Sequence, residues 1–145
     1  MIDLVKEDDP VLRQKSADVV TDEDFASVRA VKADMLKIMV KKKGIGLAAN
    51  QVGIAKRFFI ARIGIMPAVF VNPVIKRRHG EMVVANEGCL SFPGLVRPVS
   101  RDWKIDVSYE DEFGRKYDRT LEGMNARVFQ HEFDHLEGKL ITDVR

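Results

Sequence analysis

The pentapeptide His131-Glu132-Phe133-Asp134-His135 lies in a run opened by Gly123 and closed by Gly138, and its reading decides the fold. The run reads as a helix. Four residues along a helix advance the chain about 6 Å and turn it by roughly 40°. Both imidazoles therefore leave one face of the helix and can hold one metal ion. Glu132 directly follows the first of them, so its carboxylate can reach a water at that metal. Two histidines, a non-ligand glutamate and an activated water suit metal-assisted hydrolysis. The alternative is a charged surface helix whose histidines share a face by chance.

A metal needs more than two imidazoles. His79, the only other histidine, sits in the basic tip Arg77-Arg78-His79-Gly80 and reads better as a solvated turn residue. Cys89 is the stronger third ligand. It stands in Asn86-Glu87-Gly88-Cys89-Leu90-Ser91, where glycine permits close backbone approach. A lone cysteine is usually a small buried hydrophobe, but polar and glycine neighbours weaken that reading here. One thiolate and two imidazoles leave a fourth position open, as a catalytic site requires.

Attack on a carbonyl also needs donors for the developing oxyanion. In Gly44-Ile45-Gly46-Leu47-Ala48-Ala49-Asn50-Gln51 the small residues allow another element to pack against the backbone, and Gln51 offers an amide donor. A phosphate-cradling loop is the competing reading. It fails because no Lys-Ser or Lys-Thr pair follows the glycines and the segment comes after a helix rather than opening one.

Around these segments the chain reads as α+β: antiparallel strands packed around a central helix carrying the pentapeptide, with a second, N-terminal helix. That second helix is expected from Thr21, a capping residue, with Asp22 to Asp24 in its first turn. Phe25, Val28, Val31, Met35, Leu36 and Met39 recur at helical spacing, Lys41 to Lys43 suit the C-terminal end, and Gly44 ends it. Residues 1–20 read as irregular. Strands are expected over 57–63, 68–71, 103–109 and 116–121, and a hairpin over 75–84 turning at His79-Gly80. Residues 139–145 are expected to add at most an edge strand through Leu140 and Ile141.

Residues 1–145 are read as one catalytic domain, with no repeat, low-complexity tract or linker. Lysine and arginine total 24 against 22 aspartates and glutamates, a net charge of +2 that gives no argument for nucleic-acid binding. The first residues, MIDLVKEDDPVLRQ, carry charges where a signal peptide needs an apolar core, and no apolar run approaches a membrane span. A single cysteine rules out an intrachain disulfide and fits a reducing, cytoplasmic setting.

Taken together, the three segments resemble the motifs of the peptide deformylase family: G-x-G-x-A-A-x-Q at Gly44–Gln51, E-G-C-x-S at Glu87–Ser91, and Q-H-E-x-D-H at Gln130–His135. They stand unbroken and in the family's order. The resemblance implies an enzyme that removes the formyl group from the N-terminal formyl-methionine of nascent polypeptides and releases formate. It implies Cys89, His131 and His135 as metal ligands, Glu132 as general base, and the Gln51 side chain with the Leu90 backbone N–H as oxyanion donors. It implies a methionine pocket lined by Ile45, Gly46, Phe92, Met124 and Val128, with His131 beside it. One divalent metal ion is implied: ferrous iron (Fe2+) in the cell, with zinc, nickel or cobalt able to occupy the site in purified protein.

The chain stops seven residues after Gly138, where many bacterial relatives continue into a helix implicated in ribosome docking. The expectation is therefore weak or transient ribosome contact, in a bacterial cytosol; a short chain of this kind also fits a virus-encoded enzyme acting in a bacterial host. A zinc endopeptidase shares H-E-x-x-H and is the rival reading. It would draw its third ligand from downstream of His135, where Glu137 is the available acid.

Overall fold

The computed structural model describes residues 2–143. Its elements run α1 (Asp22–Lys41), β1 (Gly46–Ala48), β2 (Phe58–Arg62), β3 (Pro67–Arg78), β4 (Met82–Cys89), β5 (Phe92–Asp102), β6 (Lys104–Glu110), β7 (Lys116–Glu122) and α2 (Gly123–Leu136). Short 3-10 turns occupy Pro10–Arg13 and Ala49–Val52. Five strands form one antiparallel sheet in the order β1-β2-β3-β6-β7, and β4 and β5 form a second, two-stranded sheet.

α1 begins where its caps place it. The Thr21 hydroxyl accepts from the Asp24 N–H at 3.0 Å, and the Asp24 carboxylate accepts from the Thr21 N–H at 3.2 Å, a reciprocal capping box. The helix ends in a 6→1 bond from the Gly44 N–H to the Met39 carbonyl at 2.8 Å. Lys43, not Gly44, takes the left-handed conformation there, at φ 58.

The five-stranded sheet is covered on both faces, which explains the unbroken apolar run of β2. Phe58 and Ile60 face α1 and pack with Val28, Met35 and Met39. Phe59 and Ala61 face the other way and pack with Phe129 and Leu136 of α2. Phe59 stacks on Phe70 at 5.1 Å between ring centroids and meets the edge of Phe129 at 5.3 Å. Such pairs contribute ~0.5–1.5 kcal/mol beyond the area they bury. α2 lies between this sheet and the β4–β5 ribbon, so it is buried on nearly every side, its polar residues Gln130, Glu132 and His135 included.

One expected element differs. The hairpin over 75–84 does not form. Residues 75–78 belong to β3, where Arg78 pairs with Ile105 of β6, whereas β4 leaves for the second sheet and pairs with β5, Val84 opposite Ser100. Leu140 and Ile141 add no strand, within the expectation of at most an edge strand. They are buried in a turn that closes on the N-terminal segment, where Arg13 pairs with Asp143.

Candidate metal centre and active site

α2 is set in place at both ends by residues from elsewhere in the chain. At its start the Gly123 N–H donates to the Trp103 carbonyl at 2.8 Å. At its end the carbonyls left free by the helix are satisfied from three directions. Asn50 Nδ2 donates to the His135 carbonyl at 2.6 Å, and the Leu136 carbonyl accepts from the Ser16 N–H at 2.8 Å and from Arg57 Nη1 at 3.2 Å. The Gly44–Gln51 segment therefore anchors the helix that carries the pentapeptide.

β4 delivers the third ligand. Cys89 Sγ and one ring nitrogen each of His131 and His135 lie within 4.8 Å of one another, and Sγ is 3.3 Å from His135 Nε2. His131 turns its Nδ1 outward to Glu87 Oε1 at 2.8 Å, leaving Nε2 on the inner side, 3.9 Å from Glu132 Oε2. Glu87 is itself gripped by Arg101 Nε and Nη2, both at 2.9 Å, and by Arg127 Nη1 at 2.6 Å; Arg101 also pairs with Asp134. A carboxylate behind a histidine fixes its tautomer and ring plane, the usual support for a metal ligand.

The electrostatics favour a cation at this point. Burial opposes protonation of His131, but the charges of Glu132 and Cys89 and its hydrogen bonds outweigh burial and raise its pKa to about 10. Burial, aided by the positive His131 and Arg101, holds His135 well below the usual histidine range, in the neutral form that ligates. Burial also raises Glu87, but the bonds from His131 and Arg101 prevail and hold its carboxylate at about 2. Burial lifts Glu132 to about 7. Its Oε1 is buried without a protein partner. A thiolate and two imidazoles converging beside an orphaned carboxylate oxygen fit one divalent metal ion.

Gln51 faces the same point. It is buried, its Oε1 accepts from the Ala48 N–H at 2.9 Å, and its Nε2 donates to Ser91 Oγ at 2.9 Å and lies 3.6 Å from Cys89 Sγ. A cavity of about 280 Å³ opens beside it, lined among others by Ile45, Gly46, Leu90, Met124, Val128 and His131. Gly46 passes so close to α2 that a Cβ there would lie 2.5 Å from Glu132 Oε2.

Phe92 is the exception among the pocket residues. It sits half-buried at the start of β5, opposite Cys89, and does not line the cavity, because the tight turn through Leu90 and Ser91 carries it past the opening. His79 pairs with Asp106 at 3.1 Å and takes no part in the cluster. Glu137, the acid an endopeptidase reading needs, is bound to Arg57 at 2.7 Å and is absent from the cluster as well. Sequence reasoning gave no role to Glu87, Asn50, Arg101, Arg127 or Asp134. Glu87 and Asp134 are specified positions of the motifs and Asn50 falls at an unspecified one, which is the available signal; the arginines carry none.

The sequence model of the polypeptide deformylase family matches residues 1–145. The chain belongs to this family. It is 46% identical to the peptide deformylase of Thermotoga neapolitana over 135 residues, covering 93% of this chain and 81% of that protein. Among solved structures it resembles peptide deformylase from Thermotoga maritima, with a TM-score of 0.94 and 41% identity over 99% of this chain and 97% of that one. It also resembles a probable peptide deformylase from Synechococcus phage S-SSM7, with a TM-score of 0.92 and 36% identity over the whole of both chains. The chain is thus a hydrolase of the deformylase family, and the endopeptidase reading falls.

Proposed function

We propose that this chain hydrolyses the formyl group from the N-terminal formyl-methionine of nascent polypeptides, that residues 1–145 form the catalytic unit, and that Cys89, His131 and His135 hold one divalent metal ion. The observation that carries the reading is the convergence of these three ligands beside Glu132 at the end of an apolar cavity. Ferrous iron is the expected ion in the cell, and the same donors accept zinc, nickel or cobalt. The bound metal supplies Lewis acidity, lowering the pKa of a water and polarising the formyl carbonyl.

The chain's own residues do the rest. The cavity takes the methionine side chain against Ile45, Met124 and Val128, which orients the formyl group toward the cluster. Glu132 takes a proton from the attacking water and returns it to the leaving amine. Burial raises this carboxyl, which suits a group that must both take and return a proton. The Gln51 Nε2–H and the Leu90 N–H donate to the oxygen that gains charge.

The ligand assignment is tested by metal content. Cys89→Ala, His131→Ala and His135→Ala should each lose stoichiometric metal on purification, while Glu132→Ala keeps it. Full occupancy in Cys89→Ala by elemental analysis would refute the thiolate as third ligand.

No helix among the described residues is long and apolar enough to cross a membrane. A bacterial cytosol is the proposed setting, supported by the bacterial relatives. Ribosome contact is proposed to be weak or transient. The net charge of +2 supports this, since non-specific affinity for RNA grows with the number of phosphate contacts.

A further inference from the structure

Behind the proposed methionine cavity lies a second, smaller recess of about 150 Å³, on the far side of the α2 N-terminus. Val83 and Ala85 of β4, Trp103 and Gly123 line it, with Arg101 and Asp102 at the end of β5. Two side chains, Met124 and Arg127, line both spaces and therefore stand between them. They are not equally free to move. Arg127 is buried and tied by Nη1 to Glu87 Oε2 at 2.6 Å and to the Val99 carbonyl at 2.9 Å, and by Nη2 to the Val83 carbonyl at 2.6 Å. Met124 is 63% exposed and unbranched, with three rotatable side-chain bonds and only a thioether to place.

The Trp103 wall of the recess is held by contacts that do not involve Met124. Gly123 is at φ +61, and a Cβ there would lie 3.2 Å from the Trp103 ring, so the indole sits directly against the start of the helix. The backbone of Trp103 is bonded on both sides, its N–H to the Glu81 carbonyl at 2.7 Å and its carbonyl to the Gly123 N–H at 2.8 Å.

We infer that Met124 is the specificity gate of this enzyme: its side chain closes the cavity toward the Trp103 recess and so limits the bulk of the side chain that the formylated residue can carry. The inference rests on the proposed formyl-methionine reading and deepens it. With Met124 in place the formylated residue has only the first cavity, of about 280 Å³, to occupy. With Met124 truncated, the two spaces join, and an aromatic ring on the formylated residue can reach the indole.

The experiment compares kcat/KM for formyl-Phe and formyl-Met tripeptides in the wild type, in Met124→Ala and in Met124→Ala/Ala85→Leu. Ala85 lines only the recess, so leucine there refills it without touching the first cavity. The formyl-Phe to formyl-Met ratio should rise ~10-fold or more in Met124→Ala, within the range for a hydrophobic pocket that gains or loses a few carbons. It should return toward the wild-type value in the double variant. An unchanged ratio in Met124→Ala, or a raised ratio that Ala85→Leu does not reverse, would overturn the gate. Absence of formate release from either peptide by the wild type is a different failure, that of the catalytic reading itself.

Discussion

Gly46 illustrates how finely single residues control this site. The segment from Gly44 looks, from its small residues, like a place where another element packs closely. The structure identifies the partner: Glu132, whose Cγ and Cδ would both lie 2.9 Å from a Cβ at Gly46. Gly46→Ala must therefore push the carboxylate out of line. A displacement of about 1 Å can cost on the order of 10²-fold in rate. The expected result is a fall in kcat of that order with metal content retained; an alanine variant with wild-type kcat would show that the position of Glu132 is not critical. Gln51 is the second case. Its Nε2 has one hydrogen on Ser91 and its other side toward Cys89. Gln51→Leu should lower kcat by about 3 kcal/mol of transition-state stabilisation and leave KM little changed. Steady-state kinetics showing an unchanged kcat with a raised KM would make the amide a ground-state contact instead.

Among the elements, α1 was legible because its signals are local: a capping threonine, acids in the first turn, and apolar residues at helical spacing. The structure adds the reciprocal bond from Asp24, whose pKa is lowered chiefly by the Val20 and Thr21 N–H groups that its carboxylate accepts. A carboxyl lowered in the folded state stabilises it above the ordinary value of 3.8 and loses that contribution as pH falls through the folded pKa. Asp24→Ala should thus melt below the wild type at pH 6, with the gap closing below pH 3.8. A gap that stays constant into acid, followed by circular dichroism, would mean that the charge of Asp24 does not matter to the cap.

β5 was not legible, and its residues explain why. Pro93, Gly94 and Pro98 interrupt it, and at its end the buried side chains are Arg101 and Asp102 rather than apolar ones. The buried charge serves the site, since Arg101 holds Glu87 behind His131. Alternating apolar residues cannot signal a strand whose inner face is ionic. The expected hairpin over 75–84 failed for a related reason. The apolar residues on both sides of His79-Gly80 suggested pairing, but the exposed faces of Met82 and Val84 belong to a ribbon with β5.

At the scale of the whole molecule, three segments far apart in sequence meet because α2 is enclosed between two sheets and tied down by Asn50, Ser16 and Arg57. The motifs reveal which residues meet; the enclosure that holds them depends on long-range packing and ion pairs, which no local pattern records. The central claim is that this enclosed cluster, with Glu132 as its acid–base, hydrolyses formyl-methionyl peptides. The most direct measurement is formate release from a formyl-Met tripeptide, beside an acetyl-Met control, by the metal-loaded wild type and by Glu132→Ala. The wild type should release formate and leave the acetyl peptide intact. Glu132→Ala should retain its metal and lose ~10²–10⁴-fold or more in kcat. Absence of formate release by the metal-loaded wild type, or a Glu132→Ala variant keeping more than about a tenth of wild-type kcat, well inside that expected loss, would contradict it.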